Sequence, residues 1–239
     1  MAERGHALVV GASSGLGFRL AERLLEDHAV SVVARRSERL QPLCERGATA
    51  FPADVTALDS IPKLMADVVA ANGPLTSLIY CAGMQRLKPM RSMSVKDVEQ
   101  LYTINLMAPT VFGAQFASRR VSAEAAVFCA VSSIAAERPE AGIVTYAASK
   151  AGLSTLVSGL AREIGPRRAV GVAPGWIDTE MTQSFAHLYG ESFHEQLAKN
   201  SPAGPATVDS VVDTILFLLS PAARSITGQI VRVDGGAAI

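Results

Sequence analysis

Aromatic side chains are scarce in this chain of 239 residues, at 5% with a single tryptophan, although apolar residues reach 49%. A core must therefore come mostly from Ala, Val, Leu and Ile. Cysteine is scarce too. Cys44, Cys81 and Cys129 are odd in number, widely spaced and free of any Cys-x-x-Cys pair, so no disulfide framework is indicated. Cys81 and Cys129 lie in apolar, strand-like runs and read as small buried thiols. No stretch approaches the ~18 consecutive apolar residues of a membrane span. The 22 Lys and Arg balance the 22 Asp and Glu, which argues against a nucleic acid or an anionic membrane as partner. Met1-Ala-Glu-Arg-Gly-His6 runs straight into a strand with no secretory apolar segment, pointing to the cytoplasm. His187 and His194 have no third ligand nearby, so no metal site is expected.

What the chain does have is alternation. Short apolar runs at 7–10, 30–34, 48–51, 77–80, 125–131, 169–173 and 229–233 predict seven strands. Helical patterns fill the gaps at about 15–25, 57–71, 94–119, 146–164 and 207–220. Such alternation predicts an α/β fold: a doubly wound parallel sheet with helices on both faces and right-handed crossovers. No repeat or linker-like tract divides it, so residues 1–239 read as one domain.

Two motifs carry chemistry. Gly11-Ala-Ser13-Ser14-Gly15-Leu16-Gly17 joins the first strand to the first helix, where a dinucleotide-binding fold seats a pyrophosphate on a helix N-terminus. Its spacing departs from Gly-x-Gly-x-x-Gly and points to a variant of that fold. Farther along, Ser133 precedes Tyr146-Ala-Ala-Ser-Lys150. Tyr146 and Lys150 are one helical turn apart and share a face. A phenol titrates near 10, and a neighbouring ammonium stabilises its anion, so the pair is expected to bring the phenol toward the range of a working acid. Ser133 at a strand end could bind the same substrate oxygen.

Taken together with Asp54-Val55, Ala82-Gly83, Asn105, Pro174-Gly175, Thr179 and Asp234-Gly235-Gly236, these motifs resemble the short-chain dehydrogenase/reductase family over essentially the whole length. The chain is most similar to bacterial 3-oxoacyl-[acyl-carrier-protein] reductases, with Gly175-Trp-Ile-Asp-Thr-Glu-Met-Thr182 as the closest local likeness. The resemblance implies a Rossmann-type sheet and a catalytic set of Asn105, Ser133, Tyr146 and Lys150. Tyr146 is the implied proton donor, Lys150 lowers its pKa and binds the nicotinamide ribose, and Ser133 holds the substrate oxygen. Asn105 is implied to hold a helix kink and a relay water. The implied cofactor contacts are the glycine turn with Ser13, Ser14 and Leu16, then Asp54 and Val55 at the adenine, Cys81, Ala82 and Gly83. Pro174, Gly175, Ile177, Thr179 and Met181 complete them beside the nicotinamide. Cys81 replaces the family's usual Asn.

Position 34, where an acidic residue would bind a ribose 2′-hydroxyl, is Ala, followed by Arg35 and Arg36. Guanidinium groups suit a phosphate, so NADPH/NADP+ is the expected cofactor. Apolar residues at helical spacing between 181 and 203, including Phe185, Leu188, Tyr189 and Phe193, suggest a substrate lid. Arg167 matches an arginine with which carrier-protein-dependent relatives dock their acidic partner; Arg119 and Arg120 lie near the position of a second, which is here Glu124. The expected activity is NADPH-dependent reduction of a 3-oxoacyl thioester, carried on acyl carrier protein, in fatty-acid or polyketide-type synthesis. The alternatives are reduction of a free small-molecule ketone and, in a different class, a non-catalytic NADP-binding scaffold. A homotetramer, or a homodimer, is implied by the resemblance alone.

Overall fold

The computed structural model describes residues 4–183 and 193–238. All seven expected strands form, as β1 (His6–Val10), β2 (Ala29–Ala34), β3 (Thr49–Pro52), β4 (Leu75–Tyr80), β5 (Ser122–Val131), β6 (Arg168–Pro174) and β7 (Ile230–Val233). They make one parallel sheet in the order β3-β2-β1-β4-β5-β6-β7. Helices are α1 (Gly15–Leu24), α2 (Gln41–Glu45), α3 (Ile61–Asn72), α4 (Val95–Tyr102), α5 (Ala108–Phe116), α6 (Val144–Glu163), α7 (Glu180–Gln183), α8 (Phe193–Lys199) and α9 (Val208–Leu219).

The strand sequences explain both helical layers. In β1, Ala7 and Val9 join a cluster with Leu20 and Leu24 of α1 and Ile215 and Leu218 of α9. Leu8 and Val10 point the other way, among Met65 of α3, Phe112 and Phe116 of α5, and Leu153 and Val157 of α6. Alternate residues of one strand thus serve two cores, which is why Ala7 to Val10 of β1 are all apolar instead of alternating with polar residues. With few aromatics to place, the second core concentrates them: Tyr80 meets Phe112 and Phe116 meets Phe128, each pair with centroids under 6 Å apart (5.7 and 5.8 Å).

One expected helix is interrupted. Residues 94–119 divide into α4, a π-turn at Thr103–Met107, and α5. The implied lid is described only at its two ends. The side chain of Met181, and Phe185, His187, Leu188, Tyr189 and the side chains of Phe193 and His194, lie outside the described residues. Among the described residues, no helix is long and apolar enough to cross a membrane, and no His, Cys, Asp and Glu group could hold a metal.

Candidate active site

Strand order reverses between β1 and β4, and a cleft of about 640 Å³ opens at the carboxyl ends of the strands there. That is where open α/β sheets hold their ligands. Gly11 leaves β1 at φ 94°, and a Cβ on it would stand 2.5 Å from the Ala82 backbone nitrogen. A Cβ on Gly17 would reach 2.3 Å from the Gly11 carbonyl. The loop can pack this closely only with glycine at both positions. It thereby aims the free amides of α1 into the cleft. Ser13, Ser14, Gly15 and Leu16 line the same wall, with Cys81, Ala82 and Gly83 beneath. The shape and the donors of this cradle fit a dinucleotide.

The end of β2 supplies the cations, though not in equal measure. Arg36 donates to the Ser13 and Ser14 hydroxyls at 3.0 and 3.1 Å, bringing its guanidinium over the glycine loop. Arg35 is more exposed, at 68% of its side chain, and inclines toward Asp54 at 3.8 Å. Val55 lines the cleft, but Asp54 does not. Its carboxylate turns back to accept from the Thr56 amide and hydroxyl at 2.9 and 2.7 Å. Burial works to raise its pKa, but those bonds and Arg35 outweigh it and hold the carboxyl below its ordinary range. In this arrangement the Asp54 carboxylate forms the turn that carries Val55 to the cleft wall.

At the other end, Ser133 follows β5, and α6 presents Tyr146 and Lys150 to the cleft. Ser133 hydrogen-bonds the Tyr146 phenol. The hydroxyl of its neighbour Ser132 is taken up by the Lys150 carbonyl and the Ser154 hydroxyl. Lys150 lies 5.8 Å from the Tyr146 ring centre and donates to the Val131 carbonyl at 2.7 Å. Burial pushes the phenol above its ordinary value, with only the Ser133 bond pulling it down. Burial also lowers the Lys150 ammonium to about 8. The expected lowering of the phenol by Lys150 is therefore absent in this arrangement: desolvation dominates, and the ammonium is directed at a carbonyl.

Asn105 sits inside the π-turn, fully buried. Its amide accepts from the Met84 N–H at 2.9 Å and donates to the Met84 carbonyl at 2.9 Å and the Ser149 hydroxyl at 3.0 Å. It does not line the cleft. It fixes the Gly83–Met84 segment that does. Pro174, Gly175, Ile177 and Thr179 close the far wall.

Sequence reasoning passed over Gln85, Trp176, Glu180 and Asn200, which also line the cleft. They lie on loops or in short helical pieces without periodicity; the positions of Trp176 between Gly175 and Ile177 and of Glu180 next to Thr179 offered the clues. Arg167, for which the resemblance implies a docking role, lies inside the fold. Its side chain is buried and donates to the Ile164 and Phe116 carbonyls and to Ser122. It precedes β6, as exposed Arg119 and Arg120 precede β5, on the amino-terminal edge of the sheet. The ten residues of β5 separate that edge from Ser133, roughly 30 Å at a strand's rise per residue.

Comparison with known proteins gives a consistent result. The family described as Enoyl-(Acyl carrier protein) reductase matches residues 11–238. Gluconate 5-dehydrogenase of Gluconobacter oxydans is 32% identical over 240 residues, covering 96% of this chain and 93% of its own. The 3-oxoacyl-[acyl-carrier-protein] reductase of Aquifex aeolicus is 28% identical over 240 residues, covering 96% of each. Among solved structures, a Burkholderia cenocepacia short-chain dehydrogenase in complex with NADP superposes with a TM-score of 0.89 at 30% identity, covering 98% of each chain. A Brucella melitensis short-chain dehydrogenase/reductase reaches 0.92 at 25% identity, covering 99% of this chain and 98% of that one.

Proposed function

The chain belongs to the short-chain dehydrogenase/reductase family, and from that premise we propose that it is an NADPH-dependent reductase of a free small-molecule ketone. It is an oxidoreductase acting between CH–OH and C=O; the cofactor and the substrate class are the proposal. The observation that carries it is the single cleft holding Ser133, Tyr146 and Lys150 at one end and Arg36 over the glycine loop at the other.

The cofactor, when bound, supplies hydride. The glycine loop and the start of α1 would hold its pyrophosphate, and Arg36 with Ser13 and Ser14 its 2′-phosphate. A phenol raised by burial stays protonated at neutral pH, so Tyr146 holds the proton that a ketone oxygen needs on reduction. Ser133, already bonded to the phenol, orients the same oxygen. Lys150 keeps a cation beside the site as charge develops on that oxygen.

Two substrate classes were expected, and the free ketone has the better support. The arginine assigned to carrier docking is tied into the interior, and its surface neighbours occupy the opposite edge of the sheet. Both carrier-dependent and carrier-free enzymes are among the relatives, so similarity does not choose between them. The experiment is a comparison of kcat/KM for NADPH and NADH, over free ketones, 3-oxoacyl thioester mimics and carrier-bound 3-oxoacyl groups. NADPH should be preferred, Arg36→Asp should reverse the preference, and free ketones should match or exceed carrier-bound groups. Preference for NADH in the unmodified protein would defeat the cofactor assignment. A large advantage for carrier-bound groups would defeat the substrate assignment.

A further inference from the structure

The cations at the mouth of the cleft already hold an anion, and it belongs to the chain itself. Glu180, the first residue of α7, meets Arg36 through two nitrogens, at 3.0 and 3.1 Å. Arg39, from the 3₁₀ turn after β2, reaches both oxygens of the same carboxylate at 3.0 and 2.9 Å. The Ser14 hydroxyl also hydrogen-bonds Glu180. One carboxylate thus sits on two guanidinium groups and a serine hydroxyl, the donor set that suits a phosphate.

The contact also spans the cleft. Arg36 and Arg39 follow β2, whereas Glu180 follows β6 and Thr179, whose methyl lies 3.5 Å from where a Cβ on Gly15 would stand. A dinucleotide lying along the glycine loop has to pass beneath or part this bridge. Glu180 and a 2′-phosphate cannot both occupy the Arg36 fork, because their charges are alike and the donors are the same.

We infer that Glu180 is a built-in competitor for the cofactor's 2′-phosphate, and that Arg39 is a second cation of the clamp that Glu180 vacates. This rests on the NADPH reading above. A phosphate brings a charge of about −1.5 to −2 against the single charge of the carboxylate, so it wins the fork when present. A cofactor without that phosphate leaves Glu180 in place and finds the bridge intact. Attraction for the 2′-phosphate comes from Arg36 and Arg39, and Glu180 weakens it by occupying their donors.

The pairs are half exposed, with side-chain accessibilities of 39–50%, so the competition is modest. Calorimetric titration with 2′,5′-ADP and 5′-ADP separates its parts, since neither probe reaches Tyr146. Glu180→Gln keeps the shape and removes the charge. It should tighten 2′,5′-ADP about 3–10-fold relative to 5′-ADP, by raising the fraction of protein with an open clamp. Adding Arg39→Gln to that variant should cancel most of the gain. If the unmodified protein binds 2′,5′-ADP no better than 5′-ADP, the NADPH reading fails and takes this inference with it. If it does prefer 2′,5′-ADP, but Glu180→Gln leaves that ligand unchanged or weakens it, the competitor role alone is overturned.

Discussion

Burial acts in opposite directions on two neighbouring side chains, raising the Tyr146 phenol and lowering the Lys150 ammonium to about 8. Each shift penalises the charged form. For Tyr146 this favours the proton donor; for Lys150 it costs stability. The folded pKa of Lys150 lies below its ordinary 10.5, so between about pH 8 and 10.5 the unfolded chain holds the extra proton. Stability therefore rises with pH across that window, and the cost is present in full below it. Lys150→Met should be at least as stable as the unmodified protein at pH 7, with its advantage shrinking as pH rises through the window. Urea midpoints measured across pH 6.5–10.5 check this; a variant destabilised equally at every pH would contradict it. Such residue-scale detail was only half legible. The spacing of Tyr146 and Lys150 was plain in the sequence, but the Val131 carbonyl that takes the ammonium comes from a different element.

Elements followed the sequence where periodicity was long and failed where tertiary bonding overrode it. All seven strands were legible in the pattern: full burial on two faces leaves nearly continuous apolar runs in β1 and β6, and the edge strands β3 and β7, only partly buried, keep short ones. Local pattern does not show the π-turn, although the resemblance implies a helix kink at Asn105, where it lies. Residues 103–107, Thr-Ile-Asn-Leu-Met, are compatible with an ordinary helix, and the turn appears where buried Asn105 answers Met84 across the cleft floor. The burial of Arg167 is hidden from the sequence for the same reason: its partners are carbonyls ending α5 and α6, invisible to local pattern. The π-turn carries its own prediction. Asn105→Ala strands the Met84 N–H and carbonyl, and each buried unpaired group costs about 1–3 kcal/mol. The variant should unfold at lower denaturant and lose turnover more than cofactor affinity, because Gly83–Met84 shifts while the glycine loop does not. Unchanged stability by chemical denaturation would remove Asn105 from this positioning role.

On the scale of the whole molecule, the parallel sheet brings together residues from positions 11 to 237 at one edge, because every strand ends there. That convergence explains why scattered motifs were enough to identify both fold and cleft. It also explains why the opposite edge, with Arg119 and Arg120, has no reach to the chemistry within one chain. What the sequence could not disclose was the polar bridge of Glu180, Arg36 and Arg39, since its members lie about 140 residues apart (|i−j| 144 and 141) and meet only when the sheet is wound.

The central claim is that Tyr146 supplies the proton to a ketone oxygen in a reduction for which NADPH, held by the glycine loop and Arg36, would supply the hydride. The most direct measurement is mass spectrometry of the alcohol formed from NADPH carrying deuterium at the transferable C4 position. The account predicts one deuterium on the carbinol carbon with the unmodified protein. It also predicts a loss of at least ~10²-fold in the rate of that labelling with Tyr146→Phe, at little-changed NADPH affinity. An unlabelled product, or near-normal labelling by the Phe variant, would contradict it.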